Sequence, residues 1–419
     1  MTQIKTKTLN DVCELIVDCE HKTALTQATG YPSIRTPNIG RGRLILDNVN
    51  RVSEETYKAW TKRAIPQADD LILAREAPVG NVAIIPKNIK VCLGQRTVLI
   101  RPNKNKVEPN YLVYLLLGEE IQGKILSVSN GATVHHLNMK DIRNLELPEL
   151  PSLPTQRKIA GILSAYDRLI ENNTRRIEIL EEMARSIYRE WFVKFRFPGH
   201  EQVQMVDSEL GLIPEGWKLK TLADFGQVIT GKTPSKKIPE NFGSYMPFIK
   251  TPDMHNNMFC IKVGEYLSEI GVASQRNKTI PPNSLCVSCI GTAGIVAITS
   301  VPSQTNQQIN SIILQDELNR EFLYFALLGL KETINQYGAN GATMVNLNKG
   351  KFESLRVTSP SKNLLFNFHK ATASNFEIIR TLQLKNINLR QTRDLLLPRL
   401  ISGEIDVENL DINTGQIAA

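Results

Sequence analysis

Gly131-Ala-Thr-Val-His-His-Leu-Asn138 recurs as Gly341-Ala-Thr-Met-Val-Asn-Leu-Asn348, 210 positions later. Upstream, Tyr111-Leu-Val-Tyr-Leu-Leu-Leu-Gly118 pairs with Phe322-Leu-Tyr-Phe-Ala-Leu-Leu-Gly329. Pro32-Ser-Ile-Arg-Thr-Pro-Asn38 pairs with Pro247-Phe-Ile-Lys-Thr-Pro-Asp253, and Leu71 to Gly80 with Leu285 to Gly294. The offset drifts by only a few residues, as it does when insertions fall in loops. The 419-residue chain is therefore two copies of one unit of roughly 200 residues.

Each unit has two parts. The first is β-rich: short runs such as Asp70-Leu-Ile-Leu-Ala and Val82-Ala-Ile-Ile alternate with Gly, Pro and Asn, and one apolar helix lies near 110–117 and again near 321–328. An α+β fold with a twisted or barrel-like sheet is expected. The second part is helical. Ile159, Leu163, Tyr166, Ile170, Asn173, Ile177, Leu180, Ala184, Ile187 and Trp191 step alternately by four and three, a heptad seam with one polar break. The second copy carries Phe368, Thr372, Asn375, Ile379, Leu382, Asn386, Leu389, Arg393, Leu396 and Leu400, with four polar interruptions. A helix over about 156–192 spans roughly 55 Å. Neither stripe can be buried alone, so the two helices should pack as an antiparallel coiled coil. With Ile159 opposite Leu400, Asn173 falls opposite Asn386, a polar pair able to fix register. The expected division is a first domain at 1–150, a helical spacer at 151–208, a second domain at 209–358 and a second helical spacer at 359–419.

The net charge of +8, from 50 Lys and Arg against 42 Asp and Glu, permits nucleic-acid binding without demonstrating it. No apolar run approaches the ~18 residues that span a bilayer. The polar start Met-Thr-Gln-Ile-Lys-Thr-Lys-Thr has no apolar core, so a cytoplasmic protein is expected. Six cysteines in so long a chain do not form a disulfide framework. Cys286-Val-Ser-Cys289 has half the spacing of a zinc site but lacks a second pair, and its apolar setting suggests buried thiols.

Further strings carry a resemblance: Gly231-Lys-Thr-Pro-Ser235, Leu210-Gly-Leu-Ile-Pro-Glu-Gly-Trp217, Leu397-Pro-Arg-Leu-Ile-Ser-Gly-Glu404, Pro154-Thr-Gln-Arg-Lys-Ile159 and the paired Gly-Ala-Thr motifs. Over nearly its whole length the chain resembles the specificity subunit of a Type I restriction–modification system. The resemblance implies two target recognition domains that read a split, asymmetric duplex DNA sequence, one half each. It implies conserved helical spacers that dock two adenine-methylating modification subunits, which the ATP-dependent restriction subunits then join. S-adenosylmethionine, ATP and magnesium would be held by those partners, and no cofactor by this chain. One departure stands out. Where the second copy has Gly231-Lys-Thr-Pro-Ser235, the first has Asp18-Cys-Glu-His-Lys22, which puts a common role for this loop in doubt.

Catalytic signatures are missing. Gly226-Gln-Val-Ile-Thr-Gly231-Lys232-Thr233 fits a phosphate-loop pattern, yet Pro234 follows where a helix must open. No Asn/Asp-Pro-Pro-aromatic motif for adenine methylation occurs, since Pro281-Pro282-Asn283 has the wrong order. No nuclease, triad or metal set is evident, so a stand-alone enzyme is disfavoured. The candidate DNA contacts are Gln95, Arg96, Gln307 and Gln308, side chains suited to base edges or to solvated loops. Asn130, Thr133, His135 and Lys140, with Asn340, Thr343, Asn346 and Lys349, suit phosphate approach or a structural turn. Arg35 and Asn38, Lys250 with its partner Asp253, and Arg75 complete the set. The alternative function is a two-ended coiled-coil adaptor that binds protein and no nucleic acid.

Overall fold

The computed structural model describes residues 7–129, 136–209, 211–338 and 345–412. It divides into two compact units, Met1–Leu169 with Leu389–Ala419, and Ile170–Asn388. Each unit therefore combines a β-rich domain with a stretch of both long helices.

In the first unit a five-stranded sheet runs in the order Cys13–Asp18, Thr97–Pro102, Leu71–Ala74, Val82–Ile84, Gly42–Arg43. All neighbours are antiparallel except the last pair. The second unit repeats the order with Gly226–Thr230, Ile309–Leu314, Leu285–Ser288, Val296–Thr299 and Phe259–Cys260, again parallel only at the final pair. A three-stranded sheet accompanies each, centred on Tyr31–Ile34 and on Phe242–Ile249. The sheets stay open, and no closed barrel forms among the described residues.

The central strands are buried on both faces, which explains why their sequences lack polar alternation. Leu71 and Leu73 join the core beneath helix Pro109–Leu117, whereas Ile72 and Ala74 join a second cluster with Ile34, Ile39 and Leu99. The second unit divides Leu285 and Val287 from Cys286 in the same way. Cys286 and Cys289 thus lie in different apolar clusters. Burial pushes their thiols up to about 12 and about 11. Both are free, as structural thiols.

The long helices run Leu153–Tyr188, followed by a π turn at Arg189–Val193, and Lys362–Ile401. At 1.5 Å per residue they extend about 54 and about 60 Å. In the first unit Ile159 and Leu163 share a core with Leu400, and Leu396 packs beside them. In the second unit Ile177, Leu180 and Ile187 lie against a core that contains Ile379, Phe376 and Phe368. Ile170 and Leu382 are buried, and Leu389 is half-buried. Within each unit the two helices run antiparallel, because rising numbers on one meet falling numbers on the other.

The polar interruptions of the seam are all satisfied. Asn173 donates from Nδ2 to Oδ1 of Asn386 at 2.9 Å. Thr372 donates to the Phe368 carbonyl at 2.7 Å, and Asn375 to the Leu180 carbonyl at 3.4 Å. Arg393 pairs with Asp167, which also accepts from the Tyr114 hydroxyl at 2.6 Å. That triad ties the first domain's apolar helix to both long helices. In the second unit buried Glu321 ties the apolar helix to the second long helix alone: it accepts from Arg320 at 2.6 and 2.9 Å and lies 2.7 Å from His369 Nδ1.

Candidate nucleic-acid interface

Both Gly-Ala-Thr motifs end at the same place in their domains. Leu137 N–H donates to the Arg75 carbonyl at 3.1 Å, and Leu347 N–H to the Cys289 carbonyl at 2.9 Å. The leucine near the end of each motif is thereby held against the end of the central strand. Asn130, Thr133 and His135 lie outside the described residues, as do Asn340 and Thr343. Beyond them Lys140 is exposed on a short helix, Asn346 is exposed, and Lys349 pairs with Glu353 at 3.4 Å.

The loops on which the two copies depart differ for a physical reason. Asp18 accepts twice from Arg75 Nη1, at 2.7 and 2.9 Å, and Arg75 Nε donates to the Leu137 carbonyl at 2.8 Å. Arg75 Nη2 reaches His136 Nε2 at 2.9 Å, and His136 Nδ1 lies 2.6 Å from Glu76. Because Arg75 donates, His136 must accept at Nε2 and carry its proton at Nδ1. Arg75 is buried, so its guanidinium is consumed inside the domain rather than presented to a ligand. By strand register these positions are Thr230 and Cys289 in the second domain, with Gly231 matching Cys19, and the ion pair has no counterpart there. A Cβ on Gly231 would lie 2.1 Å from the Asn306 carbonyl oxygen. Glycine is required by that close approach.

Gly231-Lys-Thr-Pro-Ser235 is not a phosphate loop. The N–H groups of Gly231 and Lys232 donate to the Ile309 and Thr305 carbonyls at 3.0 and 2.9 Å, and no helix opens after them. Thr233 donates to Gln307 at 2.6 Å. Gln308 accepts from Asn306 at 3.0 Å and from Thr251 at 3.4 Å. Lys250 pairs with Glu265 at 2.6 Å.

In the first domain Arg35 and Gln95 meet at one cavity of about 170 Å³, which Lys22, Asn50, Trp60 and Gly94 also line. Asn38 instead holds the turn beneath it, accepting from Arg35 N–H and donating to the Ile45 carbonyl. Arg96 is exposed in a left-handed conformation (φ 65°) and pairs with Glu76 at 3.0 Å. Lys22, Asn50 and Trp60 escaped the sequence reading; comparison of Asn50 with Glu265 in the other copy was the signal available. Among the described residues Asp18, Cys19 and His21 are close enough to share a cation. The Asp18 oxygens, however, are occupied by Arg75, and burial holds the Cys19 thiol above its usual range.

A family model described as the Type I restriction modification DNA specificity domain matches residues 1–182 and 214–386. The chain belongs to this DNA specificity family. Each match takes in one β-rich domain and the start of the long helix that follows it. A Type I specificity subunit of Haemophilus influenzae, HindI, is 31% identical over 90% of this chain and 95% of its own length. The MjaIX specificity subunit of Methanocaldococcus jannaschii is 27% identical over 86% of this chain and 82% of its own. A crystal structure of a Type I S subunit from M. genitalium shares the fold, with a TM-score of 0.61 at 16% identity over 96% of this chain and 97% of that one. As a member of the DNA specificity family, the chain supplies sequence specificity to a restriction–modification system. Such subunits are in general non-catalytic. No helix among its described residues is long and apolar enough to cross a membrane.

Proposed function

We propose that the chain is a cytoplasmic, non-catalytic subunit that reads a split, asymmetric duplex target, one half through residues 1–150 and the other through 209–358. The observation that carries this is a repeated sheet topology whose loop-end residues have diverged: Asp18 and Arg75 against Thr230 and Cys289, and Arg35 and Asn50 against Lys250 and Glu265. A conserved frame with altered edges suits two readers of different sequence. The helices at 151–208 and 359–419 act as spacer and dock two modification subunits, which the restriction subunits join. Exposed apolar side chains on the helices, Leu169 and Leu395 in the first unit and Ile179, Met183 and Leu384 in the second, support docking of protein partners. Adenine methylation and cleavage belong to the partners, which hold S-adenosylmethionine, ATP and magnesium; this chain holds none of them.

Mapping adenine methylation in host DNA with and without the gene tests the proposal. Loss of one bipartite motif on deletion is expected. Persistence of every motif, together with no salt-dependent duplex affinity of the chain with its modification partner, would favour the protein adaptor instead.

A further inference from the structure

The residues that line the first domain's cavity have counterparts in the second domain, and the differences between them are chemically consistent. Ser33 N–H donates to the Asn50 carbonyl and Phe248 N–H to the Glu265 carbonyl, so Asn50 and Glu265 are equivalent. Arg35 and Lys250 follow two residues after those donors. Gly94 N–H donates to the Ile34 carbonyl and Asn306 N–H to the Ile249 carbonyl, which makes Gly94 equivalent to Asn306. Trp60 and Gln275 each stand seven residues after a serine that caps a short helix, Ser53 and Ser268.

The second domain pairs its charged group and its amide donors internally, although Gln275 Oε1 is buried without a donor. Lys250 is neutralised by Glu265, and Gln275 donates to the Lys232 carbonyl and to Gln304, both at 2.7 Å. In the first domain the acid has become Asn50, and no carboxylate lines the cavity. Among the described residues neither Lys22 nor Arg35 has an acidic partner. The Trp60 indole N–H is buried without an acceptor, a costly state for a donor. Gly94 keeps room for Arg35, since a Cβ there would lie 2.5 Å from Arg35 Cγ. Lys22, Arg35 and the indole can only donate, so the complementary group is an acceptor bearing negative charge.

We propose that this cavity receives a backbone phosphate of the DNA half-site read by the first domain, and that the second domain has no such seat. The inference rests on the DNA-reading function above. It makes Arg35 and Lys22 positioning groups that set affinity and register, while base identity is read elsewhere.

The test uses the full chain assembled with its modification subunit, with affinity for a duplex carrying the mapped target measured across a salt series. Asn50→Glu imports the acid of the second domain, and Trp60→Phe removes only the indole N–H. Asn50→Glu should weaken binding about tenfold and lower the slope of log affinity against log salt by about one. The loss should be the same on every duplex, with the methylation motif unchanged. Trp60→Phe should weaken binding a few-fold, and unaltered melting temperatures would show that both variants fold. Unchanged affinity and slope in both would overturn the phosphate seat. An altered base in the first half-site at constant slope would also overturn it, in favour of base reading. Failure of the unaltered assembly to bind any duplex would instead remove the DNA-reading function, and this inference with it.

Discussion

Asn173 and Asn386 face each other inside an apolar seam, joined by a 2.9 Å hydrogen bond, and Asn386 also reaches the Ile170 carbonyl and Thr174 Oγ1 at 3.4 and 3.3 Å. The pair satisfies itself and costs stability relative to two leucines, but only one alignment of the helices lets the two amides meet. Asn173→Leu alone should lower stability by about 1–3 kcal/mol, because Asn386 is left buried with its main partner gone. The double replacement by Leu should recover most of that loss in a denaturation cycle. If the single and double variants lose the same amount, the pair does not act as a unit.

Leu163 is fully buried where the first long helix meets the first domain and Leu400. Leu163→Ala should cost about 2–5 kcal/mol, read as a lower denaturation midpoint. A loss within experimental error would mean that this stretch of seam is not packed in solution.

Arg75 and Asp18 form a buried pair that the second copy lacks. Removing one partner strands the other, so Arg75→Ala should destabilise the first domain by about 3–5 kcal/mol. Asp18→Thr with Arg75→Cys, the residues of the second domain, should restore most of it. Equal losses in the single and double variants would show that the arginine contributes by packing rather than by charge.

Burial raises the thiol of Cys286 to about 12 and those of Cys92 and Cys289 to about 11, from a usual value near 9. The folded values lie above the unfolded ones, so the stabilisation is fully present below pH 9. It is lost as pH rises from about 9 towards 11 to 12, where unfolded thiols ionise and folded ones do not. The melting temperature should therefore fall across that window, and Cys286→Ala should flatten the fall. A midpoint independent of pH above 9 would contradict this.

Replacing residues 1–150 with the corresponding domain of another family member should change one half of the methylated motif and leave the other intact. A change in both halves would show that the domains do not read independently.

The repeat, the seam and the facing asparagines were legible because each depends on spacing along one chain. The second seam contains Thr372, Asn375, Asn386 and Arg393, which weaken the pattern in the sequence. Each is answered by a partner (the Phe368 carbonyl, the Leu180 carbonyl, Asn173, Asp167), three of them far away in sequence. For the same reason Arg75, next to a loop, looks like a ligand-facing arginine until Asp18, 57 residues earlier, is found beside it. The cavity at Trp60 was illegible because five separate segments of the chain contribute to it. Its only trace in the sequence is the exchange of Glu265 for Asn50 between the copies.

The first domain's core is completed by Leu400 and Val407, with Leu397, Ile401 and Ile405 packed around them, residues translated only after the entire second domain. A nascent chain halted at residue 388 should carry a first domain that is open to protease, and one extended through residue 412 should not. Synthesis of the second reader is thus a precondition for the first to mature. Premature termination would then yield no half-competent product able to occupy DNA on its own.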